Sequence, residues 1–194
     1  GVSFLNLKPY FDLLQKANEV FVDAEARMSP HELDGFVAHS LFVRAFSCFL
    51  GAARLSCSGQ LAETWVLLRA CIENGLYAFY IFGNEERTQI WVNRHKNEDD
   101  KTKCKRTFQV GKIWPELRGR SRATATEAKR LYDKAIDWGA HPNERSVFPN
   151  IAVKQHDAGY ALQVVNSDPA LIRATIIATI TVSSLMFGIF TLVF

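Results

Sequence analysis

Cysteine is scarce in this chain and carries no metal-binding spacing. The 194 residues hold four, Cys48, Cys57, Cys71 and Cys104, and no two form a CxxC pair, which excludes a zinc ribbon or a dithiol redox motif. The first three fall inside apolar helical patterns, where a thiol packs as a small hydrophobe, so reduced cysteines in a cytoplasmic protein are expected. No glycine-rich phosphate loop occurs. Nothing resembles the nucleophile elbow of a hydrolase, and a Ser-His-Asp triad cannot be read from the mere presence of those residues. Histidine is also sparse. His141 with Glu144, and His31 with His39 about two turns apart, are the pairs worth weighing as ligands, but no third ligand is placed, so neither a metal nor a cofactor is expected. The start of the chain lacks an initiator Met and the charged, apolar and small-residue regions of a secretory leader, so native sequence is expected ahead of Gly1.

What the chain does have is apolar periodicity. With 48% hydrophobic and 22% charged residues, its length suits one substantial core, and residues 1–194 read as a single domain. Pro9 suits a first helical turn, and Leu13, Leu14, Ala17, Val20, Phe21 and Ala24 recur at helical steps up to about Met28. Ser29-Pro30 predicts the cap of a second helix running to about Leu55. A third spans Leu61 to Phe82 and stops at Gly83-Asn84. A single polar helix is expected over Glu85 to Phe108, and another from Thr124 or Thr126 to Trp138, ended by Gly139. Val147 to Val153 and Tyr160 to Val165 alternate in polarity and predict a small β-hairpin, an insertion over residues 146–166. Ser167-Asp168-Pro169 caps a last helix with no charge from Ala174 to Phe194. That run meets the length rule for a membrane span, but six Ser and Thr residues and the wide apolar faces of the other helices favour a buried core helix. The fold class is therefore all-α, a bundle of five to seven helices with a hairpin before a long apolar C-terminal helix.

Two polar features stand out from this pattern. The Leu61 to Phe82 helix carries Arg69 and Glu73 one turn apart; they share a stripe with Val66, Tyr77 and Tyr80, opposite an oily stripe of Leu61, Trp65, Leu68, Ile72, Leu76 and Phe79. Burying either charge unpaired is costly, and Arg preceding Glu is the weaker order for a purely helical pair, so each is expected to have a further partner. The loop after Trp138 is expected to fold over this helix and bring His141 and Tyr132 to the pair. The second feature is a basic segment. Between Arg94 and Arg130 there are twelve Lys or Arg against five Asp or Glu, a net +7 in a chain whose total is +3. Arg118, Arg120 and Arg122, in a segment expected to be mobile, together with Arg145 are the candidate phosphate-binding residues.

Leu67-Leu68-Arg69, Glu73 four residues on, Leu131-Tyr132 and His141-Pro142 together resemble helical proteins of the HEPN (higher eukaryote and prokaryote nucleotide-binding) superfamily, near bacterial abortive-infection relatives, over residues 35–194. The resemblance implies an α-helical bundle, often a homodimer, and sometimes a metal-independent ribonuclease in bacterial defence. Arg69, Glu73, Tyr132 and His141 are the catalytic candidates it suggests. Catalytic members carry an Arg and a His separated by four to six residues, and this chain has no such pair; Arg87 and His95 have seven between them. The expected function is thus a HEPN-like module that binds RNA, a nucleotide or another phosphate-bearing ligand in a defence or stress role. The alternatives are a metal-independent ribonuclease-type enzyme using His141, and a structural or membrane-associated interaction protein, in the latter case held to a membrane through residues 174–194.

Overall fold

The computed structural model describes residues 7–28, 32–148, 152–156, 159–163 and 165–194. Its architecture is all-α. Helix α1 spans Lys8–Arg27, α2 Leu33–Cys57, α3 Leu61–Ile81, α4 Glu85–Val92, α5 Glu98–Thr107, α6 Val110–Arg120 and α7 Arg122–Ala135. A π-helical turn over Ile136–Ala140 extends α7, the short α8 covers Glu144–Val147, and α9 runs from Pro169 to Phe190. Two strands, β1 Ala152–His156 and β2 Gly159–Gln163, pair antiparallel with Ala152 opposite Gln163 and His156 opposite Gly159. Asp157-Ala158, the expected turn between them, lies outside the described residues, as does the expected Ser29-Pro30 cap.

The core is built around α3, which packs against α2 on one side and α9 on another. Leu68, Ile72, Leu76 and Ile81 of α3 are fully buried, as its apolar stripe requires. Gly75 lets α9 approach closely, for a Cβ there would lie 2.7 Å from Met186 Sδ. Helix α9 buries Thr175, Thr179 and Ser183, and each hydroxyl donates to a carbonyl of its own helix, so the polar atoms are satisfied inside the core. Helices α2 and α9 are both long and apolar enough to cross a membrane, and about half of each apolar window, 44% and 50%, is buried within the protein. Helix α1 attaches through Phe21, which is fully buried and lies 4.9 Å from Phe46, 5.1 Å from Phe49 and 4.7 Å from Phe187 between ring centroids.

The helix count and three boundaries differ from the expectations. Nine α-helical segments occur among the described residues, six of them longer than ten residues, rather than five to seven. The polar helix expected over Glu85 to Phe108 is two helices, because the chain turns at Asn93 and restarts where the Asn97 side chain accepts from the Asp100 N–H at 2.8 Å. Residues 118–122, expected as a loop, instead join two helices: Arg118 and Arg120 end α6, and Ser121 caps α7 through a 3.3 Å bond from the Thr124 N–H. Pro115 inside α6 and the paucity of apolar residues there mask its helical period. Val147, expected to start a strand, instead ends α8, which Asn143 and Ser146 hold in a capping box.

Candidate functional site

The polar stripe of α3 meets α7 in a three-membered cluster. Arg69 Nε donates to Glu73 Oε1 at 2.9 Å, and Tyr132 Oη donates to the same carboxylate oxygen at 3.0 Å. The third edge is a 3.4 Å contact from Arg69 Nη2 to Tyr132 Oη, and the guanidinium carbon lies 5.4 Å from the Tyr132 ring centroid. The long-range partner that the Arg-before-Glu order calls for is therefore Tyr132. The Arg69 and Glu73 side chains are 29% and 31% exposed, so the cluster is a lined recess rather than a sealed core.

Its electrostatics follow from this half-burial. Desolvation, then the Glu73 carboxylate, pushes the Tyr132 phenol above its ordinary range, partly offset by Arg69. Tyr132 is thus a neutral donor at any physiological pH. Desolvation and Glu73 raise Tyr77 likewise, and its hydroxyl donates to the Phe108 carbonyl at 2.9 Å. Burial alone would weaken the Arg69 charge, but Glu73 outweighs it and the guanidinium stays protonated.

The elements that close the recess are those of the basic segment. Trp114 of α6 meets Tyr132 edge-on at 5.8 Å between centroids, and Phe108, at the end of α5, packs against Tyr77 at 5.2 Å. Lys103, Lys105 and Arg106 of α5, Lys112, Arg118 and Arg120 of α6 and Arg122 of α7 are exposed and have no ion-pair partner among the described residues. Arg145 is exposed too, 3.4 Å from Asp137 Oδ2. A bidentate clamp that the sequence reading missed ties this flank to the core. Arg87 Nη1 and Nη2 reach the two Glu116 oxygens at 2.8 and 2.6 Å while the guanidinium carbon sits 3.7 Å from the Tyr80 ring centroid. Arg87 and Glu116 are 29 residues apart, so no local spacing signals the pair.

His141 does not join the cluster. It is exposed, and among the described residues its carbonyl, not its ring, is engaged, accepting from Ser146 Oγ at 2.6 Å. The reason is geometric: the π turn seats Gly139 on Ala62, Trp65 and Val66, the first turns of α3, so the chain has already passed Arg69 when His141 is reached. His39, on α2, has a buried Nε2 that lies 3.7 Å from Glu25 and makes no hydrogen bond among the described residues; His31 lies outside them. All four cysteines are free thiols.

The half-open cluster makes a graded stability test. Sealed ion pairs that lose one member cost about 3–5 kcal/mol, whereas exposed pairs contribute about 0–1 kcal/mol. Glu73→Gln and Arg69→Met are expected to lower stability by roughly 1 kcal/mol each, since water can reach the partner left behind. Denaturant unfolding checks this. A loss above about 3 kcal/mol would identify the cluster as an internal strut.

An all-α bundle with a recessed Arg-Glu-Tyr cluster beneath a basic flank is the class that fold and site define. Residues 35–162, from the first turn of α2 through β2, match the family of unknown function DUF5677, and with well over half of its length in that match the chain belongs to this family. No curated protein and no solved structure matches it.

Proposed function

We propose that the protein is a HEPN-like helical module, cytoplasmic and active in a bacterial defence or stress role, that binds RNA or another phosphate-bearing chain on the α5–α7 flank. The observation that supports this is the set of seven exposed cations, without ion-pair partners among the described residues, on the elements that cover the Arg69 recess. Polyanions bind such surfaces by releasing condensed counterions, and the contact is blind to sequence. Trp114 is half-buried against Tyr132 and Phe108 is buried, so bases have no aromatic platform on this flank and phosphate contacts dominate. Binding is preferred to ribonuclease chemistry because the Tyr132 hydroxyl is engaged as a donor to Glu73 and no imidazole reaches the recess among the described residues. The strands β1 and β2 read as a small hairpin inserted in a single domain.

The test is fluorescence anisotropy with labelled single-stranded RNA over a range of salt. Arg118→Glu, Arg120→Glu and Arg122→Glu together are expected to weaken binding of unrelated sequences alike and to flatten the log–log salt slope by about 2, from roughly 0.7 per lost phosphate contact. Lys16→Glu on α1 is the control. An unchanged slope in the triple variant, or the same change in the control, rejects this flank as the binding surface.

A further inference from the structure

A second recess lies at the other end of the bundle, away from the Arg69 cluster. Helices α1, α3 and α9 all terminate there, at Arg27, Ile81 and Phe190, and α2 starts there at Leu33. The four helix ends surround a groove of about 730 Å³. That is the size of a small-molecule site, and its walls have the apolar character of one. Phe42, Phe82, Phe187, Phe190 and Phe194 line it. Phe82 and Phe194 remain 41% and 50% exposed although their rings pack 5.5 Å apart, so an aromatic rim stands in solvent.

Among the described lining residues, the charges without an ion-pair partner are acidic. Glu32 and Asp34 line the groove, and Asp34 is held in place because Oδ2 accepts the Gly83 N–H at 2.7 Å. Arg27, the cation among the lining residues, is already 2.7 Å from Asp23 on its own helix. Three helix C-termini each add the equivalent of roughly half a negative charge, against one N-terminus of opposite sign. A cation is therefore favoured at the mouth and an apolar tail below it, with the exposed phenyl faces adding a cation–π attraction.

We propose that this groove binds an amphipathic organic cation, an ammonium or guanidinium head on an alkyl or aromatic body. The basis is independent of the polyanion reading, since none of its seven cations lines the groove, although Phe82 also borders a smaller hollow that Arg120 of that flank lines.

Three probes with one tail and different heads test it: decyltrimethylammonium, decyl sulfate and decanol, each titrated calorimetrically against the full chain below its micellar concentration. The chain carries a net +3, so adventitious adsorption would favour the sulfate. Decyltrimethylammonium is expected to bind at least about tenfold tighter than decyl sulfate. Glu32→Gln with Asp34→Asn, which keeps an acceptor for the Gly83 N–H, is expected to weaken the cation about tenfold and leave decanol unchanged. Phe82→Ala with Phe194→Ala should weaken all three probes together, and Thr191→Trp, at an exposed lining position, should block them. Thermal unfolding of each variant confirms that it is folded. Equal or tighter binding of the sulfate overturns the proposal, as does binding that Thr191→Trp leaves intact or the absence of binding by any probe. A dimer in sedimentation that Thr191→Trp dissociates would assign the groove to a second copy of the chain and overturn it equally.

Discussion

Phe21→Ala is expected to remove about 3–5 kcal/mol of stability, the usual cost of deleting a fully buried aromatic ring. For a chain of this length that corresponds to a fall in Tm of roughly 6–20 °C. The size follows from position. Phe21 is the meeting point of three helices: its ring lies 5.6 Å from Phe42 and within stacking distance of Phe46 and Phe49 on α2, and it tilts onto Phe187 on α9. Besides Phe21, only Leu14 and Ala17 of α1 are buried, so little else holds that helix. A cavity at this point cannot collapse without moving α1, and the loss should be partly local. Hydrogen exchange is expected to quicken through Lys8–Arg27 before the rest of the bundle, and calorimetry gives the total. A Tm within about 2 °C of the parent, or uniform exchange, would mean that α1 is held by something other than this aromatic junction.

Much of the bundle is written in the period of the apolar residues, and the reasons for the exceptions are physical. Helices α1, α2, α3 and α9 are long, each buries one or more stripes, and a 3.6-residue pattern extended over five or more turns is unambiguous. Helices α5 and α6 bury little: Cys104 in one, Ile113 and Leu117 in the other. One or two apolar contacts in about ten residues leave no period to detect, so both dissolve into a basic stretch when read from sequence. The cluster was half legible. Arg69 and Glu73 announce themselves because charge inside an apolar helix needs an explanation, and Tyr132 is placed by the periodicity of α7. The position of His141 was not legible, because it depends on a π turn that advances the chain differently from an α-helix. The Arg87–Glu116 clamp and the phenylalanine groove arise from tertiary juxtaposition, which no local spacing encodes.

The residue that decides the position of that π turn is Gly139, and Gly139→Ala is expected to be among the most damaging single-atom additions in the chain. A Cβ at this position would stand 2.3 Å from the Ala62 carbonyl oxygen, 2.7 Å from Trp65 Cβ and 3.1 Å from the Val66 nitrogen. None of these is the end of a flexible side chain. All belong to the first turns of α3, so the π turn must retreat from the central helix of the fold. Overpacking of this kind costs typically about 1–3 kcal/mol and more where backbone must shift. A Tm drop of roughly 6 °C or greater is expected for this chain length. Exposed helical glycines should respond with the opposite sign. Gly111 and Gly119 in α6 have nothing within 4 Å of the place a Cβ would take, so Ala at either site is expected to gain about 0.5–1 kcal/mol from the lower entropy of the unfolded chain. The retreat also has a functional reading. Tyr132 lies about two turns upstream on the same helical run, and its 3.0 Å bond to Glu73 would stretch as α7 tilts away. Gly139→Ala should therefore raise the ultraviolet signal of solvent-exposed tyrosine as well as lower the Tm, whereas Gly119→Ala should do neither. If Gly139→Ala melts with the parent, α7 and α3 are not locked at this contact, and the recess that Arg69, Glu73 and Tyr132 form is not held from this end.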